Sequence, residues 1–152
     1  MSIIAWDGKT IASDRMAVNS DMQKLSTKLR DVRVAVLGWT GTISAGLAMA
    51  KWWTERHEAR ASNMSDPPFP EIQRTNDWSP LIIAYKLGGV FVIEQAPIEI
   101  PVLDPFAAWG AGRDFAIGAM AMGADAATAV RIASRFSVFC GNGVDVYDLT
   151  KL

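Results

Sequence analysis

Two pairs of short apolar runs, each joined by a tight-turn signal, constrain this chain more than any other feature. Ile3 to Trp6 and Thr10 to Ala12 flank Asp7-Gly8-Lys9, while Leu81 to Tyr85 and Val90 to Glu94 flank Lys86-Leu87-Gly88-Gly89. Asp-Gly and Gly-Gly supply the positive-φ positions that hairpin turns need, so both pairs read as antiparallel hairpins. Val32, Val34 and Val36 alternate with Arg33, Ala35 and Leu37, which predicts a further strand with one buried face. Met16 to Ser26 is polar and unpatterned and reads as loop or a short irregular pair of strands. A last strand is expected over Val144 to Leu149, after the Gly141-Asn142-Gly143 turn.

Helical periods separate these strands. Ile43, Leu47, Ala50 and Trp53 or Thr54 recur at helical spacing within Ile43 to Arg60, with Lys51, Glu55, Arg56 and Glu58 on another face. Two more helices are expected over Asp114 to Met122 and Ala126 to Phe136, with Asp125 as N-cap of the second. Residues 62–80 hold four prolines and no period, which predicts a surface loop or a segment packed irregularly on a neighbour. Strands, helix, strands, two helices, strand is an order of antiparallel sheets with helices on two faces, rather than of alternating βα units.

At 152 residues the whole chain, 1–152, is expected to form a single domain. Half of its residues are hydrophobic and 20 % are charged, which excludes intrinsic disorder. Fifteen Lys and Arg against sixteen Asp and Glu argue against nucleic acid or an anionic membrane as the main partner, since both call for a basic face. Cys140 and His57 are single occurrences, so no intramolecular disulfide, no ordinary zinc site and no other metal or cofactor site is expected. The first residues show neither the basic stretch nor the apolar core of a signal peptide, and no apolar run reaches the ~20 residues of a membrane span. A soluble cytoplasmic domain is the expectation.

The usual catalytic vocabulary is thin. His57 sits between Arg56 and Glu58 on a polar helix face and reads as a solvated residue. Gly110-Ala111-Gly112 precedes a helix but lacks the βαβ surroundings of a phosphate-binding loop. A hydroxyl can still be activated without histidine by the chain's own α-amino group, whose pKa near ~7.7–8.0 suits a general base. That chemistry needs a small Ser, Thr or Cys as first residue, and Ser2 follows Met1.

The stretch Ser2-Ile3-Ile4-Ala5-Trp6-Asp7-Gly8-Lys9-Thr10-Ile11-Ala12-Ser13-Asp14-Arg15 resembles the start of a proteasome β-type subunit or HslV peptidase. Thr27-Lys28-Leu29 is similar to the family's lysine-bearing strand, and Ala35 to Thr42 to its turn into the first helix. Trp109 to Met120, Gly123 to Val130 and Cys140 to Val146 resemble its C-terminal motifs. Within the family, the compact phage-encoded and bacterial proteasome-like proteins look closest. The resemblance spans nearly everything except residues 53–80. Together with the element order it implies an α+β fold, a four-layer αββα sandwich of antiparallel sheets of the N-terminal-nucleophile hydrolase type.

Residue by residue, the resemblance implies Ser2 as nucleophile in place of the family's Thr, its freed amine taking the hydroxyl proton. Asp14 would hold Lys28 and the amine, and the charge of Lys28 would lower the amine's proton affinity. On that basis Lys24 is the lesser candidate for the lysine role. The N–H of Gly41 would stabilise the oxyanion, with Trp39 and Ile43 lining the pocket for the residue before the scissile bond. Ala111, Ser137 and Cys140 stand where the family carries an auxiliary Ser, an auxiliary Asp and an auxiliary Ser or Thr. The implied activity is hydrolysis of unfolded polypeptide within a homo-oligomeric ring or double ring, with an ATP-dependent unfoldase as the analogous partner. Trp52 and Trp53 are candidates for subunit contacts or for the core. The activity requires removal of Met1, because a retained Met1 would lock the amine in a peptide bond. The alternative is a catalytically inactive homologue with a structural or assembly role, for instance in a phage particle.

Overall fold

The computed structural model describes residues 2–152, so Met1 and the question of its removal lie outside the described residues. The first hairpin forms as its turn dictates: β1 (Ile3–Trp6) and β2 (Thr10–Asp14) pair antiparallel, with Ala5 opposite Ala12. Gly8 sits at φ +94° in the turn, and the Asp7 carboxylate accepts the N–H groups of Lys9 and Thr10. The polar stretch after β2 makes a small separate hairpin, β3 (Met16–Asn19) and β4 (Met22–Leu25). β5 (Leu29–Asp31) then turns back into β6 (Ala35–Trp39), followed by α1 (Ile43–Ala61). β7 (Leu81–Tyr85) and β8 (Val90–Ile93) are the second expected hairpin, and β9 (Ile100–Pro101) adds an edge. β10 (Ala107–Gly110), α2 (Arg113–Ala121), α3 (Ala126–Phe136) and β11 (Val144–Asp148) complete the chain.

The strands assemble into a four-stranded sheet ordered β10-β1-β2-β11 and a five-stranded sheet ordered β5-β6-β7-β8-β9. Strand alternation divides the core into three layers of contact. Ile3, Ala5 and Ala12 leave one face of the first sheet and pack on Ala116, Met120, Ala129, Val130 and Ala133 of α2 and α3. Ile4, Trp6 and Ile11 leave the other face and meet Val36, Ile82, Ala84, Val90 and Val92 of the second sheet. Leu37, Trp39, Leu81 and Ile83 point the opposite way, onto Met49, Ala50, Trp52 and Trp53 of α1. The result is the expected αββα sandwich, and β1 is buried on both faces because it lies between helices and a second sheet.

Two local expectations change, and the open alternative for residues 62–80 is resolved. The valine alternation is not one strand: Val32 donates its N–H to the Ala35 carbonyl at 2.9 Å, closing the β5–β6 turn, and β6 begins only at Ala35. Val32 and Val34 still pack against the α1 layer from within the turn, so burial rather than strand geometry produced their period. In α1 the buried face is Ala45, Gly46, Met49, Ala50, Trp52 and Trp53, whereas Ile43 and Leu47 are 42 % and 40 % exposed. Both tryptophans therefore serve the core. Residues 62–80 are largely exposed but not free, because part of the stretch packs irregularly on α1. Phe69 packs edge-on to Trp52 at 5.0 Å, the Pro67 carbonyl accepts the Trp52 indole N–H, and a 3-10 turn (Glu71–Arg74) buries Gln73 completely.

Candidate active site

The end of the first sheet and the start of α1 form a cleft of about 630 Å³. Ser2, Lys28, Trp39, Gly41 and Ile43 all line it, joined by Met16, Asn76 and Trp78. Five of the residues singled out in the sequence thus converge although they lie just before β1, before β5, at the end of β6, in the turn after it and at the head of α1. Ser2 precedes β1 and is 1 % exposed, with its carbonyl held by the Gly112 N–H at 3.2 Å. Gly110, at φ +103°, lies so close to it that a Cβ there would stand 2.3 Å from the Ser2 carbonyl oxygen. Only glycine permits that approach. The Ser2 hydroxyl has no hydrogen-bond partner among the described residues.

Asp14, at the end of β2, is the electrostatic centre. It is fully buried, and four donors converge on its carboxylate. Oδ1 accepts from Lys28 Nζ at 2.5 Å and from the Ile3 N–H at 3.0 Å, while Oδ2 accepts from the N–H groups of Met16 at 3.3 Å and Gly141 at 3.1 Å. A buried carboxylate is tolerated only when paired and hydrogen-bonded in this way. One oxygen therefore ties the backbone directly after Ser2 to the ammonium of Lys28. Burial drives the Lys28 ammonium below its ordinary lysine pKa, with the Asp14 charge opposing that shift. Lys24 is exposed on β4 and takes no part in the site.

Gly41 adopts φ +87° at the turn between β6 and α1, a conformation that side chains rarely take. Its N–H donates no hydrogen bond among the described residues. Trp39, which ends β6, lies flat against Gly46 of α1, where a Cβ would stand 2.2 Å from the indole ring. The missing side chain at Gly46 is what lets this large residue form one wall of the cleft.

Ala111, Ser137 and Cys140 are not part of the cleft lining. Ala111 is exposed at the turn before α2 and offers no polar side chain. The Ser137 hydroxyl accepts the Phe139 N–H at 3.2 Å, and Ser137 lies with Cys140 in a separate hollow beyond α3. Cys140 is buried, and burial pushes its thiol above the ordinary value. It connects to the site through its neighbour Gly141, whose N–H binds Asp14. His57 is exposed and stacks on Trp53, ring centroids 5.2 Å apart, on the outer side of α1. Sequence reasoning missed the backbone donors Met16 and Gly141, which no side-chain pattern signals. It also missed Gln73 and Ser79, two fully buried polar residues in the Pro-rich segment behind Gly41.

Among the described residues no group of three or more His, Cys, Asp or Glu could hold a metal ion. No helix among them is long and apolar enough to cross a membrane.

No protein-family profile matches the sequence, and neither does any curated protein. Solved structures do match. HslV from Trypanosoma brucei superposes with a TM-score of 0.68 at 21 % identity, covering 96 % of this chain and 97 % of that one. Thiobacillus denitrificans BPH gives 0.68 at 17 % identity, covering 99 % of both chains. The same protein in complex with epoxomicin gives 0.66 at 18 % identity, covering 98 % of both. At such identities the likeness establishes the fold alone, that of HslV and BPH, over almost the full length of the chain.

Proposed function

We propose that this chain is a proteasome-type N-terminal-nucleophile peptidase with Ser2 as its nucleophile. The observation that carries the reading is Asp14, whose single Oδ1 joins the backbone after Ser2 to Lys28 beside a cleft that Ser2, Lys28 and Gly41 line. A carboxylate and an ammonium buried together cost several kcal/mol of desolvation per ion, and that cost is met here beside an unpartnered hydroxyl that lines the cleft.

Cleavage of the peptide bond before Ser2 frees its amine. The amine, directly or through water, takes the Oγ proton as Oγ attacks the substrate's carbonyl carbon. The Lys28 charge keeps the amine's proton affinity low enough for it to remain a free base near neutral pH. Negative charge that develops on the carbonyl oxygen is met by the Gly41 N–H. The protonated amine then returns its proton to the leaving nitrogen, and water hydrolyses the acyl-Ser2 ester by the same route. Trp39 and Ile43 border the space for the side chain preceding the scissile bond. Unfolded polypeptide, a homo-oligomeric ring or double ring, an ATP-dependent unfoldase and a cytoplasmic setting belong to this same reading by analogy with the fold.

A second reading, a catalytically inactive homologue with a structural or assembly role such as one in a phage particle, is favoured by one specific observation. Neither Ala111 nor Cys140 gives the Ser2 amine the hydroxyl that family members place at those positions. Intact mass and turnover separate the two readings. The peptidase reading expects a purified chain whose mass begins at Ser2, and turnover of a fluorogenic peptide that Ser2→Ala abolishes. A mass that keeps Met1 throughout, or turnover unchanged in Ser2→Ala, overturns it.

A further inference from the structure

The Thr40–Gly41 peptide has two orientations open to it. Turning that peptide over would carry Gly41 from φ +87° to the opposite side of the map, and glycine accepts both signs of φ about equally. The local backbone therefore does not decide whether the Gly41 N–H or the Thr40 carbonyl faces the cleft. A tertiary contact must do so.

That contact comes from the Pro-rich segment. The Ser79 hydroxyl donates to the Thr40 carbonyl. Ser79 is itself locked by Gln73: the Ser79 N–H donates to Gln73 Oε1 at 2.9 Å, and Gln73 Nε2 donates to the Ser79 carbonyl at 2.8 Å. The second proton of Nε2 goes to the Glu94 carbonyl at 2.8 Å, just after β8. The Gln73 amide thus uses every strong donor direction and its acceptor, and both Gln73 and Ser79 are 0 % exposed. Ser79 is outside the cleft lining, whereas its neighbours Asn76 and Trp78 are in it. Across a trans peptide the C=O and N–H point in opposite directions. Holding the Thr40 carbonyl back toward Ser79 aims the Gly41 N–H forward, into the cleft.

We infer that Ser79, fixed by Gln73, is a positioning residue that sets the Thr40–Gly41 peptide in its oxyanion-binding orientation. The catalytic part of this inference rests on the proposed peptidase function. The orientation itself does not. A buried carbonyl that loses its donor costs about as much as a lost hydrogen bond, and a flipped peptide lets it turn toward water in the cleft instead.

Ser79→Ala tests this in the processed protein by two measurements, a crystal structure and the kcat and KM for a fluorogenic peptide. The expected result is a peptide that is flipped or split between two orientations, with kcat falling about 10²–10³-fold, as for loss of one oxyanion donor, and KM nearly unchanged. A peptide that keeps its orientation overturns the inference. So does a flipped peptide with unchanged kcat in an otherwise active enzyme. A wild-type protein without any turnover would refute the peptidase reading instead, and the orientation alone would then decide the role of Ser79. Should Ser79→Ala not fold, Ser79→Cys replaces the hydroxyl by a larger, weaker S–H donor and is expected to loosen the same peptide and lower kcat; one fixed orientation with unchanged kcat overturns the inference.

Discussion

Replacing Lys28 by Met leaves the Asp14 carboxylate buried without a countercharge. The side chains concerned are 6 % exposed for Lys28 and 0 % for Asp14, so a methionine in the place of the lysine leaves the carboxylate little access to water. Breaking a buried ion pair from one side costs about 3–5 kcal/mol. Three N–H donors, from Ile3, Met16 and Gly141, remain on the carboxylate and place the expected loss near the lower end, about 3 kcal/mol. For a chain of 152 residues that corresponds to a fall in Tm of about 6–12 °C, at about 2–4 °C per kcal/mol. In urea the midpoint should fall by about 1.5 M, for a slope of about 2 kcal/mol/M. Asp14→Asn should also destabilise, since it strands the ammonium. Lys28→Met combined with Asp14→Asn should cost less than the two single changes added together, with a coupling of about 2 kcal/mol. Urea unfolding of the four proteins at one pH and ionic strength measures the cycle. A loss below about 1 kcal/mol in Lys28→Met, or single costs that add to within about 0.5 kcal/mol, would refute the claim that the pair is a coupled, desolvated unit.

Two further outcomes follow from the same geometry. Burial lowers the Lys28 pKa below the ordinary 10.5, so the unfolded chain binds more protons than the folded one between the two values. Stability should therefore gain with pH through that window in wild type relative to Lys28→Met, which lacks this contribution, while kcat/KM for a peptide should decline on its alkaline side earlier than an ordinary lysine would dictate. Lys28→Arg should move that decline to higher pH, and an identical profile would show that another group titrates. At Gly46, alanine would bring Cβ to 2.2 Å from the Trp39 ring, so Gly46→Ala should cost about 1–3 kcal/mol in urea unfolding and displace the cleft wall. A neutral effect would mean that the indole can retreat freely and does not define the wall.

Much of the fold was legible because it is written in local chemistry. Asp7-Gly8 makes the first turn through carboxylate bonds to residues two and three positions on, and Asp125 caps α3 by accepting the Thr128 N–H at 2.7 Å. Such contacts fall within the same short stretch that the eye scans. The valines at 32 and 34 misled for a related reason: period two reports alternate burial, and a tight turn packed on α1 produces it as well as a strand does. Ile43 and Leu47 misled in α1, because its deeply buried stripe is built from small residues and tryptophans while these two aliphatics border the open side.

The sequence by itself determined the two main hairpins, the helices and their order, and through the motif around Ser2, Asp14, Lys28 and Gly41 it pointed to three residues that line the cleft and to the carboxylate that holds one of them. Tertiary structure alone decided how they are held. Asp14 gathers donors from residues 3, 16, 28 and 141, and the Gly41 turn is backed by Gln73 and Ser79 from a stretch that shows no period. The physical reason is that a backbone N–H or a carbonyl is the same in every residue. Which one finds a buried carboxylate or a serine hydroxyl depends on where two sheets and a helix bring the chain together, and no periodicity in side-chain type encodes that meeting.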